Sequence, residues 1–206
     1  MLFGGGTMGR RQSDDGRAGD LADNTGREVT AFTVGDHRPG NAFTANHMLG
    51  ICDMGLNCSG VEKDAAAYAE QVRTAAREGG TGKVDIVAAS YSAHEMLIML
   101  EMHPDVADSI DRLLLVGPTQ VRDSAARGLS IDIRVVAHWL DHVFWSPYPN
   151  GGVRLHPADT LRKYGAEVDW VILDSGIVLD PVAVHDGWFG SNPAMTQELW
   201  KRVAEL

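Results

Sequence analysis

Three residues, Ser90, Asp141 and His185, have the types and the chain order needed for nucleophilic catalysis by a serine hydroxyl. A serine attacks a carbonyl at neutral pH only when an imidazole takes its proton and a carboxylate holds that imidazole in the right tautomer. In one large group of parallel-sheet proteins the three groups follow in this order, each beyond the C-terminal end of a strand. The sequence therefore predicts acyl transfer, with Ser90 as nucleophile, His185 as general base and Asp141 as the residue that orients it.

Ser90 lies where a strand pattern changes to a helix pattern. Residues 84–89 (Val-Asp-Ile-Val-Ala-Ala) are rich in β-branched and small side chains, and apolar residues follow Ser90 at helical spacing. A sharp turn that presents a nucleophile needs small residues two positions to either side, usually as Gly-x-Ser-x-Gly. Ala88 and Ser92 stand at those positions, so the motif is a variant. The alternative is an ordinary strand–helix junction at which Ser90 only caps the helix.

Other serine and acidic residues compete for the same roles. Ser92 is a second serine at the turn, but its side chain is expected to rotate away from the site and to pack beneath the turn. Asp174 and Asp180 are alternative acids nearer the end of the predicted sheet. We favour Asp141 because it closely follows the strand pattern at 131–137.

Seven histidines besides His185 are present, and most histidines in proteins are structural or exposed. His185 is preferred because it alone lies in the loop between the last predicted strand and the closing helix. His94 falls on the helix after Ser90, which places it badly for proton transfer. His138 and His142 flank Asp141 and could line the pocket.

The oxyanion of an acyl-transfer intermediate needs two backbone N–H donors. One is expected from Tyr91, the residue after Ser90. The other is expected from the glycine-rich loop at 4–7, through Gly6 or Thr7, because glycine lets the backbone approach a substrate closely. No Gly-Lys-Ser/Thr follows, so this loop is not interpreted as a phosphate-binding loop. Trp139 and Trp188, near the predicted acid and base, are candidate substrate-binding residues, although core packing is the commoner role of tryptophan.

Strand patterns that alternate with helices or long crossovers predict an α/β fold: one domain over residues 1–206, with a mainly parallel, open sheet and helices on both faces. The predicted strands are 2–3, 28–34, 84–87, 112–116, 131–137 and 168–173, and the predicted helices are 61–78, a helix from Ser90 to about 102, and 193–206. Residues 10–27 are expected to be loop or a weakly formed helix, and 35–60 a surface excursion.

The composition limits the functional classes. A formal net charge of −10 over 206 residues disfavours nucleic-acid binding. No apolar stretch is long enough to cross a bilayer, and the first residues lack the apolar core of a signal peptide. We therefore expect the cytoplasm, or a virion or larger complex, as the location. Cys52 and Cys58 are spaced wrongly for a Cys-x-x-Cys pair; a local disulfide and two free thiols both remain open, and no metal or cofactor is expected.

Several segments resemble an uncharacterised actinobacterial α/β-hydrolase family. Residues 84–92 look like that family's Gly-His-Ser-Tyr-Gly elbow, 113–119 with 123–126 like its next strand and loop, 134–141 like its acid strand, and 185–189 like its histidine loop. More distantly, the chain is similar to cutinase-like and mycobacteriophage lysin B esterases, which cleave lipid esters of the cell envelope. The resemblance implies a compact α/β-hydrolase fold and an actinobacterial or phage origin.

Together, the residues and the resemblance predict a serine esterase that acts on a small-molecule or lipid ester through an acyl-enzyme. Two alternatives stay open. The same triad can hydrolyse amides or peptides, and the variant elbow is also typical of a catalytically silent module that serves in binding or assembly. The oligomeric state is not indicated by the sequence.

Overall fold

The computed structural model describes residues 1–5, 11–33, 59–118, 121–138, 141, 156–171, 184, 187–190 and 192–206. The strands are β1 (Leu2–Gly4), β2 (Thr30–Ala31), β3 (Val84–Ala89), β4 (Ile110–Val116), β5 (Asp132–Ala137) and β6 (Glu167–Trp170). The helices are α1 (Arg11–Thr25), α2 (Ser59–Glu78), α3 (Tyr91–Met102), α4 (Asp123–Arg127), α5 (Pro157–Lys163) and α6 (Pro193–Ala204), with 3₁₀ turns at Pro104–Ser109 and Gly187–Phe189.

The six strands form one parallel sheet in the order β2-β1-β3-β4-β5-β6. The two central strands are β3 and β4. Every residue of β3 is buried, and so are the last four residues of β4. Continuous apolar runs form such strands because helices cover both faces of a parallel sheet. The order also places β1 directly beside β3, with Gly4 opposite Ala88.

Two cores lie on opposite faces of the sheet. On one face, apolar residues of α2 to α5 pack against side chains such as Ile86 and Leu115. On the other face, α1, α6 and the Gly187–Phe189 turn pack against side chains such as Val87 and Leu114. The alternation of Ile86 with Val87 shows that successive residues of β3 supply both cores, as the period of two in a strand requires.

The predicted fold class is confirmed: the sheet is parallel and open and has helices on both faces. Several elements differ from expectation. Thr30–Ala31 is a two-residue edge strand, shorter than the predicted 28–34. Arg11–Thr25 is a regular helix of 15 residues in a segment predicted to be loop or a weakly formed helix. The short helices Asp123–Arg127 and Pro157–Lys163 were not predicted. The predicted excursion at 35–60 lies outside the described residues except for its last two. Within the described part of the chain, no helix is both long and apolar enough to cross a membrane.

A cluster of charged side chains lies at the N-terminal ends of β3 and β4. The Asp85 carboxylate accepts hydrogen bonds from Arg27 and from Arg112, whose Nε lies 3.2 Å from Asp85 Oδ1. The Asp85 side chain is only 8% exposed. Because the strands are parallel, this cluster lies at their N-terminal ends. Ser90 follows the last residue of β3 and lies at their C-terminal ends.

We expect Asp85→Ala to destabilise the protein by about 2 kcal/mol, because it leaves two half-buried guanidinium groups without their common carboxylate. Urea denaturation would measure the loss. A stability within error of the wild type would contradict this role of Asp85.

Candidate active site

Ser90 has a strained backbone conformation at the turn between β3 and α3. Its φ of 55° and ψ of −120° lie outside the φ/ψ regions that residues with a Cβ normally occupy. Among the described non-glycine residues, Ser90 alone has a positive φ. Its N–H donates to the Val116 carbonyl at 2.8 Å, one step beyond the Ala89–Val116 pair of the ladder. The side chain is largely buried. Strain of this kind costs on the order of 1–3 kcal/mol and is typical of functional positions.

The N-terminus of α3 lies directly after this turn. Tyr91 is the first residue of the helix, and the first intrahelical bond is donated by the Ala93 N–H to the Ser90 carbonyl at 3.2 Å. The N–H of Tyr91 therefore has no acceptor within the helix and lies at its positive end. This is the position expected for a donor to an oxyanion beside Ser90.

Ser92 is the second residue of α3 and contacts the chain that follows β1. It is buried, its hydroxyl donates to the Gly5 carbonyl, and its Oγ lies 3.4 Å from Glu95 Oε2. The variant elbow thus places a polar side chain beneath the turn, where the usual pattern has glycine.

Asp141 is buried close to the end of β4. Trp188 Nε1 donates to Asp141 Oδ2 at 3.4 Å, and a Cβ built on Gly117 would lie 2.6 Å from the same oxygen. Gly117 follows Val116, whose carbonyl holds Ser90. Ser90 thus contacts Val116 and Asp141 lies against Gly117, so both lie at the C-terminal end of β4.

Two histidines hold the backbone of Asp141. The Asp141 N–H donates to the His138 carbonyl at 2.9 Å. The Asp141 carbonyl oxygen lies 3.1 Å from His156 Nε2. His156 Nδ1 accepts from the Ala158 N–H, so its Nε2 carries the proton and donates to Asp141. Burial lowers the pKa of His138, opposed by the nearby Asp141 charge. The backbone carbonyl of His138 and the imidazole of His156 therefore hold the Asp141 backbone from both of its polar groups.

Trp188 also lines a cavity of about 210 Å³ between α1, the Gly187–Phe189 turn and α6. Its walls are mostly apolar: Leu21, Trp188, Phe189, Pro193, Leu199 and Trp200. At the cavity, the Arg17 guanidinium lies 4.7 Å from the centre of the Phe189 ring. One indole therefore both contacts the candidate acid and forms part of an apolar wall.

The other predicted site residues, His185, Gly6, Thr7 and Trp139, lie outside the described residues. So do the rivals His142, Asp174 and Asp180, and the pair Cys52 and Cys58. The neighbours of His185 that are described, Val184 and Trp188, both pack in the core shared with α1 and α6. Sequence reasoning missed Gly117 and His156. The only available signal for Gly117 was a glycine directly after an apolar strand.

We expect Ser90→Gly to be more stable than Ser90→Ala by about 1 kcal/mol, because glycine adopts a positive φ without strain. Both variants lack the hydroxyl, so the difference between their free energies of unfolding reports the backbone strain at residue 90. The free energies of unfolding in urea would measure it. An alanine variant as stable as the glycine variant would show that the turn at Ser90 is not strained.

Gly117→Ala should destabilise the protein by about 2 kcal/mol or more, since the new Cβ meets Asp141 and Trp188 and the φ of +51° disfavours alanine. Gly128→Ala is the matched control: its Cβ would meet nothing within 4 Å, and its φ is −98°. Thermal unfolding of the two variants compares them directly. Equal melting temperatures would contradict the close packing around Gly117.

No protein-family model and no curated protein matches the chain. Solved structures do match. A protein from Thermoplasma acidophilum described as a CIB-like hydrolase is 16% identical with a TM-score of 0.54, over 100% of this chain and 85% of that one. A protein from Xanthomonas campestris described as a hydrolase of the α/β superfamily is 18% identical with a TM-score of 0.51, over 99% and 94%. An arylesterase is 13% identical with a TM-score of 0.56, over 100% and 74%.

Sequence identities this low show a shared fold but not a shared activity. The parallel six-stranded sheet, the helices on both faces and the likeness to these three structures agree on one architecture. The chain has the α/β-hydrolase fold.

Proposed function

We propose that this protein is a serine hydrolase and that its substrate is a carboxylic ester. The observation that carries the proposal is the strained turn at Ser90, held against the end of β4 and followed at once by a helix N-terminus. A nucleophilic serine in hydrolases of this fold lies on a strained strand-to-helix turn of this kind, at the C-terminal ends of the strands. The fold supports the same reaction class, since solved structures of this fold include proteins described as hydrolases and an arylesterase.

In the proposed reaction the Ser90 hydroxyl attacks the ester carbonyl while His185 takes its proton. The tetrahedral intermediate collapses, and His185 returns the proton to the leaving alcohol. A water molecule, deprotonated by His185, then hydrolyses the acyl-enzyme. Asp141 orients the imidazole and stabilises its charged form. Its buried position beside the strand end that holds Ser90 supports this role, and the chain order supports that of His185.

The oxyanion is assigned to two backbone donors. The Tyr91 N–H lies at the first position of α3, without an acceptor in that helix. The second donor is assigned to Gly6 or Thr7. Support comes from the strand order: β1 lies beside β3, so the chain that leaves β1 starts next to the turn at Ser90. Removing one such donor typically costs 10²–10³ in kcat.

The acyl group of the substrate, a small-molecule or a lipid ester, is assigned to an apolar surface that includes Trp139 and Trp188. The contact of Trp188 with Asp141 and its place in the wall of an apolar cavity support this assignment. The same apparatus is chemically able to cleave amides, which are harder substrates because their leaving group must be protonated.

Ser90→Ala should abolish turnover of p-nitrophenyl esters, a loss of about 10³-fold or more. Esters of graded acyl length would show which chain length the apolar surface accepts. The wild type should react with a fluorophosphonate at Ser90, as identified by mass spectrometry of the labelled peptide. Asp141→Asn and His185→Ala are expected to lose a comparable share of kcat.

Ser130→Ala is a suitable control, because Ser130 is exposed and lies before β5, at the N-terminal ends of the strands and away from Ser90. This variant should retain full turnover and labelling. An unlabelled Ser90 in the wild type, with no ester or anilide cleaved, would instead identify a catalytically silent module of this fold. Full turnover by Ser90→Ala would show that another residue is the nucleophile.

A further inference from the structure

The cavity between α1 and α6 has a buried apolar base and an exposed mouth. At its base, the side chains of Leu21, Trp188 and Leu199 are each 2% exposed or less. The residues at its mouth are exposed, among them Asp20 and Gln197. The cavity is therefore an apolar recess that a small molecule can enter from solvent.

The size and the walls of this cavity favour an aromatic occupant. Three of the side chains around it are aromatic: Trp188, Phe189 and Trp200. Such rings pack edge to face or offset against another ring and gain more than burial alone provides. An apolar cavity of roughly 150 Å³ can hold benzene. A volume of about 210 Å³ therefore accommodates one aromatic ring with a short substituent.

The charges at the mouth favour an occupant without net charge. Among the described residues around the cavity, only Arg17 and Asp20 are charged. They are three residues apart on α1 and therefore lie on the same side of that helix. Their opposite charges leave no net charge at the mouth to attract an anion or a cation. An ion placed on the apolar base would also lose hydration that nothing there replaces.

A buried hydroxyl in the wall is engaged within the protein. Thr196 Oγ1 lies 3.1 Å from the Gly187 carbonyl oxygen and accepts from the Gly190 N–H at 3.0 Å. The base of the cavity therefore requires no polar group from a ligand. At the mouth, the exposed amide of Gln197 can both donate and accept, which suits a neutral polar substituent such as a hydroxyl.

We propose that this cavity is a binding site for a free, uncharged molecule with one aromatic ring. The ring packs on Trp188 at the base, and a short polar substituent lies at the mouth beside Gln197. Ser90 and Asp141 are not among the residues around the cavity, which shares only Trp188 with the proposed active site. The inference goes beyond the proposed hydrolase function and does not depend on it, because binding is measured without a substrate.

Three ligands with the same ring and different charge test the proposal on the full chain: benzyl alcohol, benzoate and benzylamine. Nuclear magnetic resonance titration should give benzyl alcohol a Kd of about 1 mM or below. Both ions should bind about tenfold or more weakly, because each loses hydration in the cavity. No measurable binding of benzyl alcohol, or an ion that binds as tightly as the alcohol, would overturn the proposal.

Labelling the protein with ¹⁵N-tryptophan shows where the ligand lies. The indole N–H signals of Trp188 and Trp200 should shift as benzyl alcohol is added. The signal of Trp170 should not, since this residue is on β6 and does not line the cavity. Single Trp→Phe variants assign the three signals. A titration that shifts Trp170 and leaves Trp188 and Trp200 unchanged would place the ligand elsewhere and contradict the site.

Gln197→Trp narrows the mouth from an exposed position on α6, so the fold should tolerate it. The Kd for benzyl alcohol should rise about tenfold or more. Lys201→Trp is the matched control, because Lys201 is exposed on the same helix and does not line the cavity. Its Kd should stay within about twofold of the wild type, and thermal unfolding checks that both variants are folded. Equal affinities in the two variants would overturn this inference, whereas a wild type unlabelled at Ser90 would overturn the hydrolase proposal alone.

Discussion

One backbone hydrogen bond, from the Ser90 N–H to the Val116 carbonyl, determines where the candidate site lies. It extends the ladder between β3 and β4 by one step, and beyond it the chain turns with a positive φ into α3. The residue directly after β4, Gly117, lies against Asp141 and Trp188. Ser90 and Asp141, the proposed nucleophile and the proposed acid, are far apart in the chain and are both positioned by this strand end. Movement of that strand end would change both.

The strain at Ser90 is tolerated because the strands around it are held on both faces. The residues that precede it, Ala88 and Ala89, face different cores, one with α2 to α5 and the other with α1 and α6. A local relaxation of the turn would have to disturb one of these packed layers. Polar contacts beneath the turn add to this, because Ser92 links α3 to the end of β1. Strained conformations persist only where the surroundings determine them in this way.

The central sheet could be predicted because its strands are buried on both faces and therefore appear as short apolar runs, such as 84–89 and 112–116. The turn at Ser90 could be predicted for a related reason, because the strand pattern changes to a helix pattern at this serine. The contacts around Asp141 could not be predicted. They join Gly117, Asp141 and Trp188 from three separate loops, and no local pattern encodes such pairings. Helix α1 was also uncertain, because its sequence is mostly polar. Among its described side chains, at 15–25, only Ala18 and Leu21 are buried.

The contact between Gly5 and Ser92 joins residues 87 positions apart in the chain. Contacts of such long sequence separation form slowly in folding, because the loop between them must close before they contribute. The pairing of β1 with β3 has the same property. We expect the strained turn to reach its final backbone geometry only when both neighbours of β3 have docked. A chain that has completed only part of its sheet would then lack the fixed turn at Ser90, so the reaction proposed for this residue would begin only with the native state.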